Sequence, residues 1–173
     1  WEMNRLAREI IHTAGGEVLG ERYLPIGSVD VDRMIDEVRA TKPDFILNSL
    51  IGPSSYAFLK AYAALGENDP HFHPARCPVL SCNLTECELS DIGTAAEGLI
   101  AAGPYFHDGT QAFASSHEAA ANRAVHALAD LLETTSQDTN QPIAALLKTA
   151  AGQRSGIDAK THHSAQPVLI AKV

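Results

Sequence analysis

A short apolar run, Phe45-Ile46-Leu47, passes straight into the loop Asn48-Ser49-Leu50-Ile51-Gly52-Pro53-Ser54-Ser55 and then into a helix pattern carrying Phe58, Leu59, Tyr62 and Leu65. A buried strand that reaches a helix through a Gly- and Ser-bearing turn constrains a chain more than any composition does. It places backbone N–H groups and small hydroxyls at the strand's carboxyl end, where open parallel α/β sheets bind their ligands.

The flanking segments repeat the unit. Met3, Leu6, Ala7, Ile10, Ile11 and Ala14 recur at helical spacing, and Gly15-Gly16 stops that helix. Glu17 to Leu24 reads as a strand, broken by Pro25-Ile26-Gly27. Ser28 or Asp30 is expected to cap the next helix, with Val31, Met34, Ile35 and Val38 on its face. After the helix that follows Ser55, a polar His- and Pro-rich loop runs from Glu67 to Arg76. Pro78 to Cys82 is the next strand, and its downstream turn, Asn83-Leu84-Thr85-Glu86, is a second polar strand-end loop. Glu88 to Glu97 is weakly helical, and Leu99 to Ala102 is a further strand ending at Pro104-Tyr105-Phe106. Alternation of this kind predicts parallel strands joined by crossover helices. The pattern opens on a helix at Trp1, so a strand is expected ahead of it, and the sheet edge it would cover is expected to be thinly protected.

The character changes at His107-Asp108-Gly109-Thr110. Beyond it, Phe113, His117, Ala120, Ala121, Ala124, Val125, Leu128, Leu131 and Leu132 predict a long alanine-rich helix face. A polar linker is expected over 134–141, and Pro142 starts a short helix with Ile143, Leu146 and Leu147 that Gly152 ends. Residues 153–166 are polar and loop-like, and 167–173 are strand-like.

Charge narrows the partners. The net charge of −8 argues against a phosphate backbone, and the 13 Lys and Arg form no basic patch, so no nucleic-acid partner is expected. The apolar runs are too short for membrane insertion. Three cysteines, Cys77, Cys82 and Cys87, are an odd count, which leans slightly toward a reducing, cytoplasmic compartment.

Catalytic chemistry finds little footing. His71, His73 and Cys77 cluster in one loop, but the cysteines fall five residues apart, unlike metal knuckles, so no metal is expected. Asp30, Asp32, Asp36 and Glu37 read as a charged helix face beside a helix N-terminus. Ser54-Ser55 lacks the second glycine of a nucleophile elbow, and Gly15-Gly16 follows a helix rather than opening one. No catalytic residue and no cofactor is assigned. The two strand-end loops remain, with Asn48, Ser49, Gly52 and Ser54 on one and Ser81, Asn83 and Thr85 on the other. Their neutral donors and acceptors suit an amide better than a phosphate or carboxylate. Ordinary turn chemistry explains the same residues equally well.

The order of these motifs resembles the type I periplasmic binding protein family, in the amide- and urea-binding branch. That branch includes urea-transport binding proteins and the amide sensor that controls an amidase operon. The resembling stretches are Trp1-Glu2-Met3-Asn4, Gly15 to Glu21 with Tyr23-Leu24-Pro25, Asp44 to Gly52, Pro78 to Glu86, Ala95 with Glu97-Gly98, and Pro104-Tyr105-Phe106. The resemblance is fainter through Glu118-Ala119-Ala120 and from His163 to Val173.

The resemblance implies an α/β fold, a parallel-sheet three-layer lobe that is incomplete. Residues 1–106 would be the second lobe without its first strand, and 107–110 a crossover. Residues 111–160 would be helices belonging with a first lobe, and 161–173 a returning strand. It implies a binding protein rather than an enzyme, holding a small neutral amide or urea-like molecule. The partner would be an ABC permease or an antiterminator regulator, in the periplasm or the cytoplasm. Carried over by position, Asn83 falls where the amide sensor has a pocket threonine and Ile51 lines the cleft. Ser49, Gly52 and Thr85 are their neighbours. The aromatic pocket residue that the family carries just before Trp1, and the first lobe, lie outside this sequence. The competing expectation is a flavodoxin-like enzyme domain acting on a small polar substrate, which would need a perturbed titratable group beside the loops.

Overall fold

The computed structural model describes residues 2–135 and 143–173. Two compact units result: one reaches to Gly103 and includes Ile170–Val173, and the other is Pro104–Leu169.

The first unit is built on a parallel sheet. β1 (Ile46–Leu47), β2 (Val79–Ser81) and β3 (Ile100–Gly103) lie side by side, with Ile46 opposite Val79 and Leu80 opposite Ile100. β4 (Leu169–Lys172) completes the order β1-β2-β3-β4. The Val173 N–H reaches the Leu99 carbonyl at 3.0 Å, and the Gly98 N–H reaches the Val173 carbonyl at 2.9 Å. The parallel alternation read from the sequence is therefore present, and β1 stands at the sheet's edge.

The helix α3 (Pro53–Asn68) fills the core. Pro53 at its first turn needs no N–H partner there. Phe58, Leu59, Tyr62 and Leu65 recur at helical spacing and all are buried. Tyr62 lies edge-on to the fully buried Phe72 at 6.3 Å, and its hydroxyl donates to the Cys77 carbonyl at 2.6 Å. Each fully buried side chain of this size contributes roughly 1.5–3 kcal/mol. The helix α2 (Asp32–Thr41) packs on α3 through buried Ile35.

Four sequence expectations change here. Residues 17–24 form no strand. Their apolar pattern is strand-like, but a strand exists only by pairing, and this segment has no ladder partner. The acidic and basic side chains tie it to helices instead, as described below. Neither Ser28 nor Asp30 caps α2; the carbonyl of Val31 accepts from the N–H groups of Met34 and Ile35 at 2.9 and 3.1 Å. The stretch from Glu88 to Glu97 is not one helix. It is broken into a short α4 (Leu89–Ile92) between 3-10 turns at Glu86–Glu88 and Gly93–Ala96. Gly93, with φ 67°, interrupts the helical path. The first helix, α1 (Glu2–Thr13), buries none of its residues, and Leu6 and Ile10 of its expected core face are exposed.

In the second unit, α5 (Ser116–Thr135) packs against α7 (Ala150–Arg154). Ala119 and Leu131 are its buried residues, whereas Val125, Leu128 and Leu132 of the expected face are exposed. The short α6 (Ile143–Leu146) follows. Helix α5 runs through Thr135, into the expected linker; residues 136–142, including Pro142, lie outside the described residues. Gly152 sits inside α7 rather than ending a helix. The Tyr105 hydroxyl donates to the Phe113 carbonyl at 2.6 Å within the same unit.

Candidate ligand-binding site

The carboxyl ends of β1 and β2 carry two loops whose internal hydrogen bonds fix their shape. After β1, buried Asn48 donates to the Ser55 hydroxyl at 2.9 Å and accepts from the Leu50 N–H at 3.0 Å. One side chain thus shapes the turn and anchors it to the start of α3. Gly52 follows with φ 55° and ψ −140°, a conformation that side chains with a Cβ resist. After β2, the buried Ser81 hydroxyl accepts from the N–H groups of Asn83 and Leu84, both at 3.2 Å.

The two loops meet. The Asn83 amide donates to the Ser49 carbonyl at 2.9 Å. Ser49 in turn offers its hydroxyl to Asn4 of α1 at 3.4 Å. Ser49, Ile51 and Asn83 open on one groove of about 790 Å³. Ile51 is half exposed at its mouth, and Asn83 is partly buried. Asn83 lines the groove while its side-chain amide is bonded to Ser49.

The other expected residues stand differently. Gly52 shapes the α3 start and lies outside the groove lining. Thr85 also lies outside it; its N–H is held by the Glu88 carboxylate at 2.8 Å, which secures the 3-10 turn. Ser54 lines the groove, 2% exposed, and its hydroxyl has no hydrogen-bond partner among the described residues. It was part of the loop read from the sequence, but hydroxyls in turns are too common to single it out there.

Two ion-paired clusters complete the walls. Glu21 accepts from Asn4 at 3.0 Å and pairs with Arg8, while Tyr23 donates to the same carboxylate. The hydrogen bonds from Tyr23 and then Asn4 lower the Glu21 pKa, and the bond to Glu21, followed by burial, raises that of Tyr23. Arg22 meets Glu37 of α2 at 2.7 Å. The sequence did not mark these pairings, because they span thirteen or more positions and have no local spacing. Arg8 and Arg22 each pair with one carboxylate of the groove wall, Glu21 and Glu37, and both stay substantially exposed.

The His71, His73 and Cys77 cluster does not gather. Cys77 is fully buried and its carbonyl accepts from the Tyr62 hydroxyl, and His71 lies edge-on to Phe72 at 4.9 Å. Among the described residues no three His, Cys, Asp or Glu side chains converge.

The chain matches the periplasmic binding protein domain over residues 1–124. It belongs to that family, and its parallel-dominated open sheet is that of a type I periplasmic-binding-protein lobe. Its fold is similar to that of an ABC-transporter solute-binding protein from R. palustris, solved in complex with 4-hydroxybenzoate. The TM-score is 0.77 and the identity 18%, covering 99% of this chain and 52% of that one. A second R. palustris solute-binding protein, in complex with benzoate, gives a TM-score of 0.50 and 22% identity over 61% of this chain and 27% of its own. The chain therefore spans about half the length of the first of these proteins.

Proposed function

We propose that this chain supplies one lobe of a solute-binding protein serving an ABC importer in the periplasm. The observation that carries the reading is the joining of Asn83 to Ser49 at the mouth of a groove that Ile51 also lines. Neutral donors and acceptors at the ends of parallel strands suit a small uncharged solute, and an amide or urea-like molecule matches them best. Asn83 presents its carbonyl oxygen to the ligand's N–H, and Ile51 packs on its apolar part. Ser49 holds the Asn83 amide in register, and Gly52 and Thr85 shape the loops around them. A second lobe closes over the solute, because one wall leaves a ligand half exposed and good sites bury roughly 70–90% of it.

In this reading, residues 107–110 are a crossover, 111–160 pack with the other lobe and 161–173 return. An amidase-operon regulator remains the cytoplasmic variant of the same binding chemistry. The family is one of binding proteins, which disfavours the enzymatic alternative.

Calorimetry on the two-lobed protein carrying this sequence tests the proposal, with urea, acetamide, butyramide and 4-hydroxybenzoate as probes. Saturable heat with an amide or urea, lost in Asn83→Ala, supports it. Heat with 4-hydroxybenzoate alone rejects the neutral-ligand reading, and silence with all four rejects the site.

A further inference from the structure

The elements that follow β1 and β2 are joined twice: once in the groove lining, through Asn83 and Ser49, and once outside it. The Glu88 carboxylate makes the second junction, with one oxygen for each side. Its Oε2 accepts from the Thr85 N–H at 2.8 Å, the cap that starts the turn after the Asn83 loop. Its Oε1 accepts from the Tyr56 hydroxyl of α3 at 3.3 Å. Tyr56, Thr85 and Glu88 are all half-buried, and none of them lines the groove. Burial, then the charge and hydrogen bond of Glu88, raise the Tyr56 pKa, so its hydroxyl keeps the proton it donates.

These contacts close a ring. Asn48 fixes the β1 loop to α3 through the Ser55 hydroxyl at 2.9 Å, and Tyr56 is the next residue of that helix. Ser49, beside Asn48, accepts from Asn83. Asn83 and Thr85 flank Leu84, which is anchored in the core. Thr85 is capped by Glu88, and Glu88 returns to Tyr56. The Ser81 hydroxyl holds the same loop to its own strand, whereas Glu88 holds it to α3. Hydrogen bonds to an ionised carboxylate are among the stronger ones, and links of one connected network support each other. Freeing Tyr56 from Glu88 therefore loosens the link at Asn83 on the opposite side of the ring.

We propose that Glu88 is a positioning residue for the ligand site: with Tyr56 it clamps the β2 loop to α3, and so keeps Asn83 bonded to Ser49 and in its place in the groove lining. Two residues outside the groove lining thereby set affinity within it. The proposal deepens the solute-binding reading and rests on it for the ligand's part, whereas the clamp itself is measured without any ligand.

The test uses the isotope-labelled 173-residue chain. The side-chain amide signals of Asn83 and Asn48 are assigned through their backbone resonances, and NMR measures how fast each exchanges with water. Tyr56→Phe and Glu88→Ala are each expected to speed exchange of the Asn83 amide about fivefold, the worth of one such bond, and to leave that of Asn48 unchanged. Glu88→Gln keeps an acceptor for Thr85 and an amide that meets the Tyr56 oxygen, so it is expected to stay at the parent rate. The double variant should match Glu88→Ala alone, because both changes act through one contact. On the two-lobed protein carrying this sequence, with acetamide as probe, Tyr56→Phe is expected to weaken binding about fivefold. An unchanged Asn83 amide, an equal rise at Asn48, Glu88→Gln behaving as Glu88→Ala, or unchanged acetamide affinity in Tyr56→Phe would each overturn the proposal. Should Glu88→Ala unfold, Tyr56→Phe and Glu88→Gln decide. Acetamide silence in the parent protein counts against the neutral-solute reading instead, and the exchange rates then decide the clamp.

Discussion

The side-chain amide of Asn83 is bonded to the backbone carbonyl of Ser49 at 2.9 Å, linking the loops that follow β2 and β1. The link makes Asn83 a structural tie in the groove lining. Asn83→Ala is therefore expected to lower unfolding free energy by about 1 kcal/mol, the net worth of one such bond. Asn83→Asp is expected to cost more, because a carboxylate facing a carbonyl cannot donate. Urea denaturation at neutral pH checks both, and the Asp variant should recover toward the Ala value as its carboxyl protonates in acid.

Asn48 carries a heavier structural role. It is 3% exposed and holds both Ser55 and Leu50. Asn48→Leu leaves the Leu50 N–H without its acceptor, a loss expected to cost about 1–3 kcal/mol. The same variant is expected to raise hydrogen exchange at Leu50 before any global loss of structure, which mass spectrometry can localise.

Gly52→Ala tests backbone geometry alone. At φ 55° and ψ −140° the residue sits where a Cβ is strained, yet the added methyl would touch nothing within 4 Å. The expected cost is about 1–3 kcal/mol from strain without any clash. Gly98→Ala combines both penalties, because its Cβ would fall 2.3 Å from the Pro74 Cβ at φ +77°. The two variants compared by thermal denaturation should rank Gly98→Ala as the more damaging.

Tyr62 sets the behaviour in alkali. Burial, followed by its hydrogen bond to Cys77, pushes its pKa well above the ordinary value of 10.0. Below about pH 10 the folded and unfolded chains both keep this proton. Above it the unfolded chain releases the proton while the folded chain holds it, so stability falls as pH rises. The Cys77 thiol, raised chiefly by burial from 9.0, acts in the same direction from a lower pH. Tyr62→Phe is expected to cost about 0.5–1.5 kcal/mol at neutral pH. It should also flatten the decline above about pH 10, while the part due to Cys77 persists. Urea midpoints measured across that range decide it.

The fold was legible where local pattern and pairing agreed. Phe45-Ile46-Leu47 and Pro78 to Cys82 are short runs beside helix signals, and Ile46–Leu47 and Val79–Ser81 within them became parallel strands. The α3 face was readable because Phe58, Leu59, Tyr62 and Leu65 keep the helical period. Residues 17–24 show the limit: Val18, Leu19, Tyr23 and Leu24 carry the right residue types, but a ladder also needs a neighbour's backbone. The face expected for α5 failed for a related reason. Periodicity identifies an apolar stripe, while burial depends on what lies against it, and Val125 and Leu128 remain exposed. At the candidate site, strand-end position singled out Asn83 and Ser49 and the family resemblance singled out Ile51, and these three line one groove whereas Gly52 and Thr85 do not. The Arg8–Glu21 and Arg22–Glu37 ties were not, because their partners meet only after folding.

The contrast among the three thiols gives the chain its own folding gauge. Cys77 is fully buried in the core, whereas Cys82 and Cys87 lie at the surface. A brief pulse of alkylating reagent should therefore tag the two outer sulfurs in native material and add a third tag only to molecules whose core has opened. Intact-mass spectra would then count opened molecules directly, variant by variant, without any engineered label.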